Sequence, residues 1–261
     1  MKERILLFCI VFGLGVFIYI FQSYFNTVWG LAILCFLMSL YVGFMNLSYK
    51  LQKRKLQKYP QVINENYKPF VSVLIPAHDE ECVIANTVQN ILDMDYENFE
   101  VIVIDDRSVD NTASVIKDLE QKYDKVTALI RPKDAFPGKS AVLNDAFKIA
   151  KGEAILVFDA DATVDADFLT TLIPHLEPKD VGAVQARKVI RNKNTNLLTR
   201  CQNNEYTLDT YFQVGRDSVK GAVELRGNGE LIKRQAIEDI GGWNNYTIVD
   251  DLDMSTRMHI K

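Results

Sequence analysis

Cysteine is scarce in this chain, with four in 261 residues. Cys9, Cys35, Cys82 and Cys201 have no spacing that suggests a zinc site or a disulfide framework, and a reducing compartment suits such thiols. Histidine is scarcer still, at three. His78 reads as a loop residue, while His175 and His259 have no partner constellation, so all three are taken as structural. A surplus of basic charge is also missing, since 30 Lys and Arg stand against 34 Asp and Glu. With a net charge of −4 and no basic footprint in the soluble part, nothing points to nucleic acid. No internal repeat and no low-complexity tract occurs. Two phosphate-binding signatures fail as well. Pro137-Gly-Lys-Ser140 looks like the tail of a P-loop, but Lys133 stands where that loop needs its first glycine. Gly227-Asn-Gly229 does not open a βαβ unit, so a dinucleotide site is unsupported.

Charge is wholly absent from two long stretches, Ile5 to Phe21 and Val28 to about Leu47. Each is close to the ~20 apolar residues that cross a bilayer as a helix. Lys2 and Arg4 precede the first, and Lys50, Lys53, Arg54, Lys55 and Lys58 follow the second. Because basic flanks stay on the cytoplasmic side, residues 1–49 are expected to form a transmembrane hairpin, with spans at about 5–21 and 28–47 and both ends inside. A cleaved signal peptide is disfavoured by the second span and by the lack of an evident small-residue cleavage site. The basic stretch reads as a topological stop rather than a lipid-binding patch, and residues 50–70, with Pro60 and Pro69, as a juxtamembrane linker. The expectation is a multi-pass membrane protein with a cytoplasmic domain.

From Val71 short β-rich runs alternate with helical stretches. Strands are expected at 71–75, 101–104, 126–130, 154–158 and 182–189, with helices at 81–93, 110–122, 140–151 and 165–176 between them. Such alternation implies an α/β domain whose mainly parallel sheet is covered by helices on both faces. A polar helical stretch, Asn192 to Gly215, follows, with Leu197, Leu198, Leu208 and Phe212 expected to face inward. A short helix from Lys233 to Ile240 is then ended by Gly241-Gly242, and another begins near Asp250.

Acidic pairs follow three apolar runs: Asp105-Asp106, Asp159-Ala-Asp161 and Asp250-Asp251. Ligands of open α/β sheets bind outside the carboxyl ends of the strands. Hard Mg²⁺ or Mn²⁺ takes one or two carboxylates plus phosphate oxygens, which suits Asp159 and Asp161; a solvated turn is the plainer alternative. Asp105 and Asp106 could accept bonds from a ribose or a pyrimidine N–H, or simply supply acidity at a helix start. Two adjacent buried carboxylates at Asp250 and Asp251 would repel and raise one pKa, as a general base requires, unless they too are an ordinary acidic helix start. Pro76-Ala-His-Asp-Glu80 could meet a base or cap a helix, Lys139 could reach a phosphate or be solvated, and Trp243 could stack on a sugar or fill the core.

Together, Pro76-Ala-His-Asp-Glu80, Ile104-Asp-Asp106, Gly138-Lys139 with Leu143-Asn-Asp145, Phe158-Asp-Ala-Asp161, and Gly241-Gly-Trp243 with Asp250-Asp-Leu-Asp253 resemble the membrane-bound family 2 glycosyltransferases in order and spacing, from Val71 to Lys261. That family includes cellulose, hyaluronan and poly-N-acetylglucosamine synthases. Glu224-Leu-Arg-Gly-Asn-Gly229 and Thr247-Ile-Val-Asp-Asp-Leu-Asp253 look most like its cyanobacterial monoglucosyldiacylglycerol synthases. The resemblance implies a GT-A fold over residues 71–261 that binds a UDP-sugar and inverts the anomeric centre, with Mg²⁺ or Mn²⁺ as cofactor and a membrane lipid or glycan as acceptor. It implies that Ala77, Glu80 and Asp106 contact uridine, Lys139 lies near the diphosphate, Asp159 holds the ribose or sugar side, Asp161 holds the metal and Asp251 is the base. Trp243 and Asp250 are acceptor-side candidates. The family continues with a Gln-x-x-Arg-Trp motif and further membrane helices, and this chain ends before them. The expectation is therefore a fragment, a truncated product or an enzyme completed by a C-terminal partner subunit.

Overall fold

The structure, a computed structural model, describes residues 11–21, 27–58, 64 and 66–261. It divides into two compact units, residues 1–59 with 208–221 and residues 60–207 with 222–261.

In the first unit, Val11–Phe21 is a short apolar helix, α1. The start of the expected first span and the expected turn at 22–26 lie outside the described residues. Helix α2, Thr27–Lys58, is the one helix among the described residues that is long and apolar enough to cross a membrane. Its apolar side chains, Leu34, Phe36 and Leu37 among them, are exposed. It also corrects the expected linker, because Lys50 to Lys58 continue the helix. Leu, Gln, Lys and Arg are strong helix formers, and the nearest breaker is Pro60. The end of a later helix, α7 (Leu197–Ser218), belongs to this unit from Leu208 on. Tyr49 meets Tyr211 edge to face at 4.4 Å and Tyr41 stacks on Phe212. Gly215 allows this approach, since a Cβ there would lie 2.7 Å from the Met45 carbonyl oxygen.

The second unit is built on a six-stranded sheet in the order β3-β2-β1-β4-β6-β5. Strands β1 (Val71–Ala77), β2 (Phe99–Asp105), β3 (Val126–Ile130) and β4 (Ala154–Val157) are parallel. Strand β6 (Glu230–Lys233) runs antiparallel between β4 and β5 (Ala183–Gln185), which makes the sheet mixed. Alternate side chains of a strand face opposite sides, and β1 divides its residues accordingly. Val71, Val73, Ile75 and Ala77 join one core with α3 (Ile84–Leu92), α4 (Thr112–Lys122) and α6 (Phe168–Leu176), whereas Leu74 joins another with α5 (Lys139–Ile149), α8 (Arg234–Asp239) and α9 (Asp250–Ile260). Both faces are apolar and both are covered, so the strands read as continuous hydrophobic runs.

Candidate active site

The parallel strands end on one edge, and the acidic pairs lie there. Asp105 is the last residue of β2, and Asp159 lies two residues past the end of β4. The loops after β1 and β2 are interlocked. Asp106 N–H donates to the Ala77 carbonyl at 2.8 Å, Asp79 N–H to Ser108 Oγ at 3.0 Å, Val109 N–H to Asp79 Oδ1 at 2.8 Å and Glu80 N–H to Thr112 Oγ1 at 2.8 Å. Asp79 and Arg107 both adopt positive φ, 57° and 62°, without being glycine. Such backbone costs energy and persists only where its surroundings impose it. Ala77, Glu80 and Asp106 are therefore brought to one place. The Asp105 side chain is buried there, and its Oδ1 has no hydrogen-bond partner.

Asp106 does not stand alone. Arg131, whose side chain is 3% exposed, donates from Nη1 to Asp106 Oδ1 at 2.6 Å, from Nε to Asp145 Oδ2 at 3.0 Å and from Nη2 to the Phe136 carbonyl at 2.9 Å. Arg107 Nε adds a bond to Asp106 at 2.9 Å. Partial burial pushes the Asp106 carboxyl up, but hydrogen bonds from Arg107 and Arg131, together with their charges, outweigh it and hold the group below the usual carboxylate range. Asp145 is held low chiefly by Lys148, against its own desolvation, with Arg131 adding to the effect. Asp145 thus explains half of the Leu143-Asn-Asp145 motif, and Asn144 explains the rest. Asn144 Oδ1 accepts from Trp243 N–H at 3.0 Å, and its Nδ2 donates to the Trp243 carbonyl at 2.8 Å. Gly242, at φ 81°, makes this possible, for a Cβ there would stand 2.6 Å from Asn144 Oδ1.

Trp243 is 4% exposed, its ring edge-to-face with Phe147 at 5.9 Å. The indole fills the core and does not offer a face to a sugar; its backbone, clamped by Asn144, fixes the entry to α9. Arg257 fixes it further, donating to the Ile240 and Gly242 carbonyls at 2.7 and 2.8 Å while paired with Asp253.

Around Gly227 the remaining residues converge. Lys139 Nζ donates to Asp159 Oδ1 at 2.6 Å and to the Gly227 carbonyl at 2.8 Å. A Cβ on Gly227, which has φ 68°, would lie 3.5 Å from Asp251 Oδ2 and 3.8 Å from Lys139 Nζ. Asp251 lies in the first turn of α9, where a carboxylate complements the helix dipole. Ser255 ties that turn to the loop before Gly227, donating to the Asp251 carbonyl and accepting from Leu225 N–H. Asp250 and Asp251 are both partly exposed, so the expected pair of buried, mutually repelling carboxylates is not found. Both lie in the first turn of α9, where water reaches them. Asp161 is exposed.

Sequence reasoning missed Glu230. It is 2% exposed beneath this loop and accepts from Gly227 N–H at 3.3 Å. Burial pushes its carboxyl up to about 7; Lys139 opposes the rise, and Asp250 and Asp251 add to it. The available signal was a glutamate leading an apolar Leu231-Ile232 pair directly after a glycine turn.

Among the described residues no group of three or more His, Cys, Asp or Glu side chains could hold a metal ion by itself. Asp159 and Asp161 nevertheless supply hard oxygen donors of the type Mg²⁺ or Mn²⁺ prefers, in the number used when phosphate oxygens complete the shell.

Comparison with known proteins follows the same lines. The family model described as Glycosyl transferase family 2 matches residues 72–241. A beta-monoglucosyldiacylglycerol synthase from Nostoc sp. is 45% identical over 74% of this chain and 42% of its own length. A poly-beta-1,6-N-acetyl-D-glucosamine synthase from Staphylococcus epidermidis is 31% identical over 73% of this chain and 46% of its own length. The chain therefore spans under half the length of these curated relatives. Among solved structures, the mannosyltransferase PcManGT from Pyrobaculum calidifontis, in complex with GDP-Man and Mn²⁺, is similar with a TM-score of 0.68 and 26% identity over 87% of this chain and 63% of that one. The mixed α/β fold is that of the GT-A glycosyltransferases, and the chain belongs to glycosyl transferase family 2.

Proposed function

We propose that the chain carries the donor-binding and catalytic domain of an inverting enzyme that moves glucose from UDP-glucose to diacylglycerol at a membrane. The observation that carries this reading is the convergence of Lys139, Asp159 and Asp251 on Gly227 at the carboxyl edge of the sheet. The Nostoc relative, a beta-monoglucosyldiacylglycerol synthase, supports the choice of donor sugar and acceptor.

Each residue then has a task. Ala77, Glu80 and Asp106 line the uridine side, with Asp105 buried at the end of β2. Lys139 exchanges its bonds to Asp159 and Gly227 for diphosphate oxygens. Asp161, with Asp159 beside it, holds Mg²⁺ or Mn²⁺, a reading supported by the Mn²⁺ of PcManGT. When bound, such an ion stabilises charge on the departing diphosphate. Asp251 accepts the proton of the acceptor hydroxyl while that hydroxyl's oxygen bonds to the anomeric carbon from the face opposite the leaving UDP, so the sugar bond to UDP breaks with inversion. Asp250 lies on the acceptor side of the base. Trp243 contributes there through its backbone. The proposal includes the hairpin topology, with α1 and α2 as spans and the domain on the cytoplasmic side, and it leaves room for a partner subunit on the acceptor side.

Membranes containing the protein, given radiolabelled UDP-glucose and diacylglycerol, should form a chloroform-soluble labelled glycolipid. The Staphylococcus epidermidis relative favours a second reading, a polysaccharide synthase. Label accumulating only in a chloroform-insoluble polymer would select it over the first.

A further inference from the structure

The net charge of −4 conceals a local concentration of the opposite sign. Between Asp180 and Glu205 the chain holds no acidic residue and five basic ones: Arg187, Lys188, Arg191, Lys193 and Arg200. Residues 186–196 run between β5 and α7 without regular strand or helix. Lys188 is turned inward, donating to the Arg226 carbonyl. The other four are exposed, and none of the described hydrogen bonds or ion pairs engages their side chains. Interleaved with them are Val189 at 62% exposure, Leu197 at 76% and Leu198 at 67%, so the two leucines do not face inward as expected.

Clustered exposed apolar side chains mark an interaction site, and unpaired like charges call for a partner of opposite sign. An aqueous anion would satisfy the cations and leave the leucines in water. A bilayer surface satisfies both, because headgroup phosphates meet the arginines while the leucines enter the acyl boundary. We propose that residues 187–200 form a strap that binds the anionic headgroups of a lipid bilayer. Nucleic acid fits less well, since no aromatic side chain between Val181 and Asn204 could stack on a base.

The strap leads directly into α7. At its other end Gln185 donates to the Asn228 carbonyl and accepts from Arg226 N–H, so the strap is tied to the loop that presents Gly227 to Asp251. The inference is independent of the sugar and acceptor proposed above.

The test is hydrogen exchange on the whole protein reconstituted in nanodiscs of phosphatidylcholine alone or with added phosphatidylglycerol. Each Lys or Arg at an anionic surface adds about fivefold to binding, so removing three should weaken it about a hundredfold. Amides of 187–200 should be protected in anionic discs alone, and the protection should vanish at high salt and in the combined Arg191→Gln, Lys193→Gln, Arg200→Gln variant. Peptides from β1 to β4 serve as the folding control. Equal exchange in both discs, or protection that survives salt, would overturn the assignment. So would protection by single-stranded RNA without protection by anionic discs.

Discussion

Replacing Glu230 with glutamine should stabilise the protein above neutral pH and leave it nearly unchanged in acid. Glu230 lies opposite Val157 on β4 and Gln185 on β5, 2% exposed. Burial lifts its carboxyl from 4.5 to about 7, with Lys139 opposing and Asp250 and Asp251 assisting. A shift of that size corresponds to about 3 kcal/mol between its two protonation states. Between 4.5 and about 7 the folded protein keeps a proton that the unfolded chain has released. Stability from this group is therefore complete below the lower value and is lost as pH rises to the upper one. Glutamine imitates the protonated form at constant size and can still accept from Gly227 N–H. The variant should match the parent near the lower end of the window and exceed it by up to about 3 kcal/mol at pH values above the window. Urea unfolding followed through the emission of buried Trp243 reads the difference. A constant offset across the pH range, or a variant less stable in alkali, would refute the reasoning.

Three further outcomes are expected. Asp251→Asn should cut sugar transfer by about 10²–10⁴-fold while calorimetry shows UDP affinity intact; lost UDP binding would make the pair structural. UDP affinity should fall sharply with EDTA and in Asp161→Asn, because two carboxylates need the diphosphate to complete the metal shell; unchanged affinity in both would remove Asp161 from the metal. Arg131→Gln removes the buried guanidinium that joins Asp106 and Asp145 but leaves them Arg107 and Lys148, and urea titration should show a loss of about 1.5–3 kcal/mol, accompanied by weaker UDP binding.

The parallel half of the sheet was legible because each of its strands is mainly apolar and is followed closely by charged residues. Strand β6 was not, because Glu230-Leu-Ile-Lys233 has two apolar residues and starts with a carboxylate that only its tertiary surroundings can bury. The expected strand at 182–189 shrank to Ala183–Gln185, since pairing with β6 ends where the Arg226–Gly229 loop turns away. Among the site residues, those following strands were readable from position. The Asp106–Arg131–Asp145 chain and the clamp of Asn144 on Trp243 join residues distant in sequence, and no local pattern encodes such partners. Charge balance misled at 187–200, where a local excess is averaged away over the whole chain.

Strand β6 also sets an order of events during synthesis. Strands β1 to β4 leave the ribosome together, within residues 71–157, and can pair among themselves. The outer edge of β4, Ala-Ile-Leu-Val, must then wait until Glu230 to Lys233 have been made some seventy residues later. A bare, flat, apolar edge is a template for pairing with another chain, and nascent intermediates that expose one tend to aggregate. Any version of this protein shortened to before Glu230 would keep that edge permanently open, and would be lost to self-association before the loops at the carboxyl edge of its sheet could be assayed.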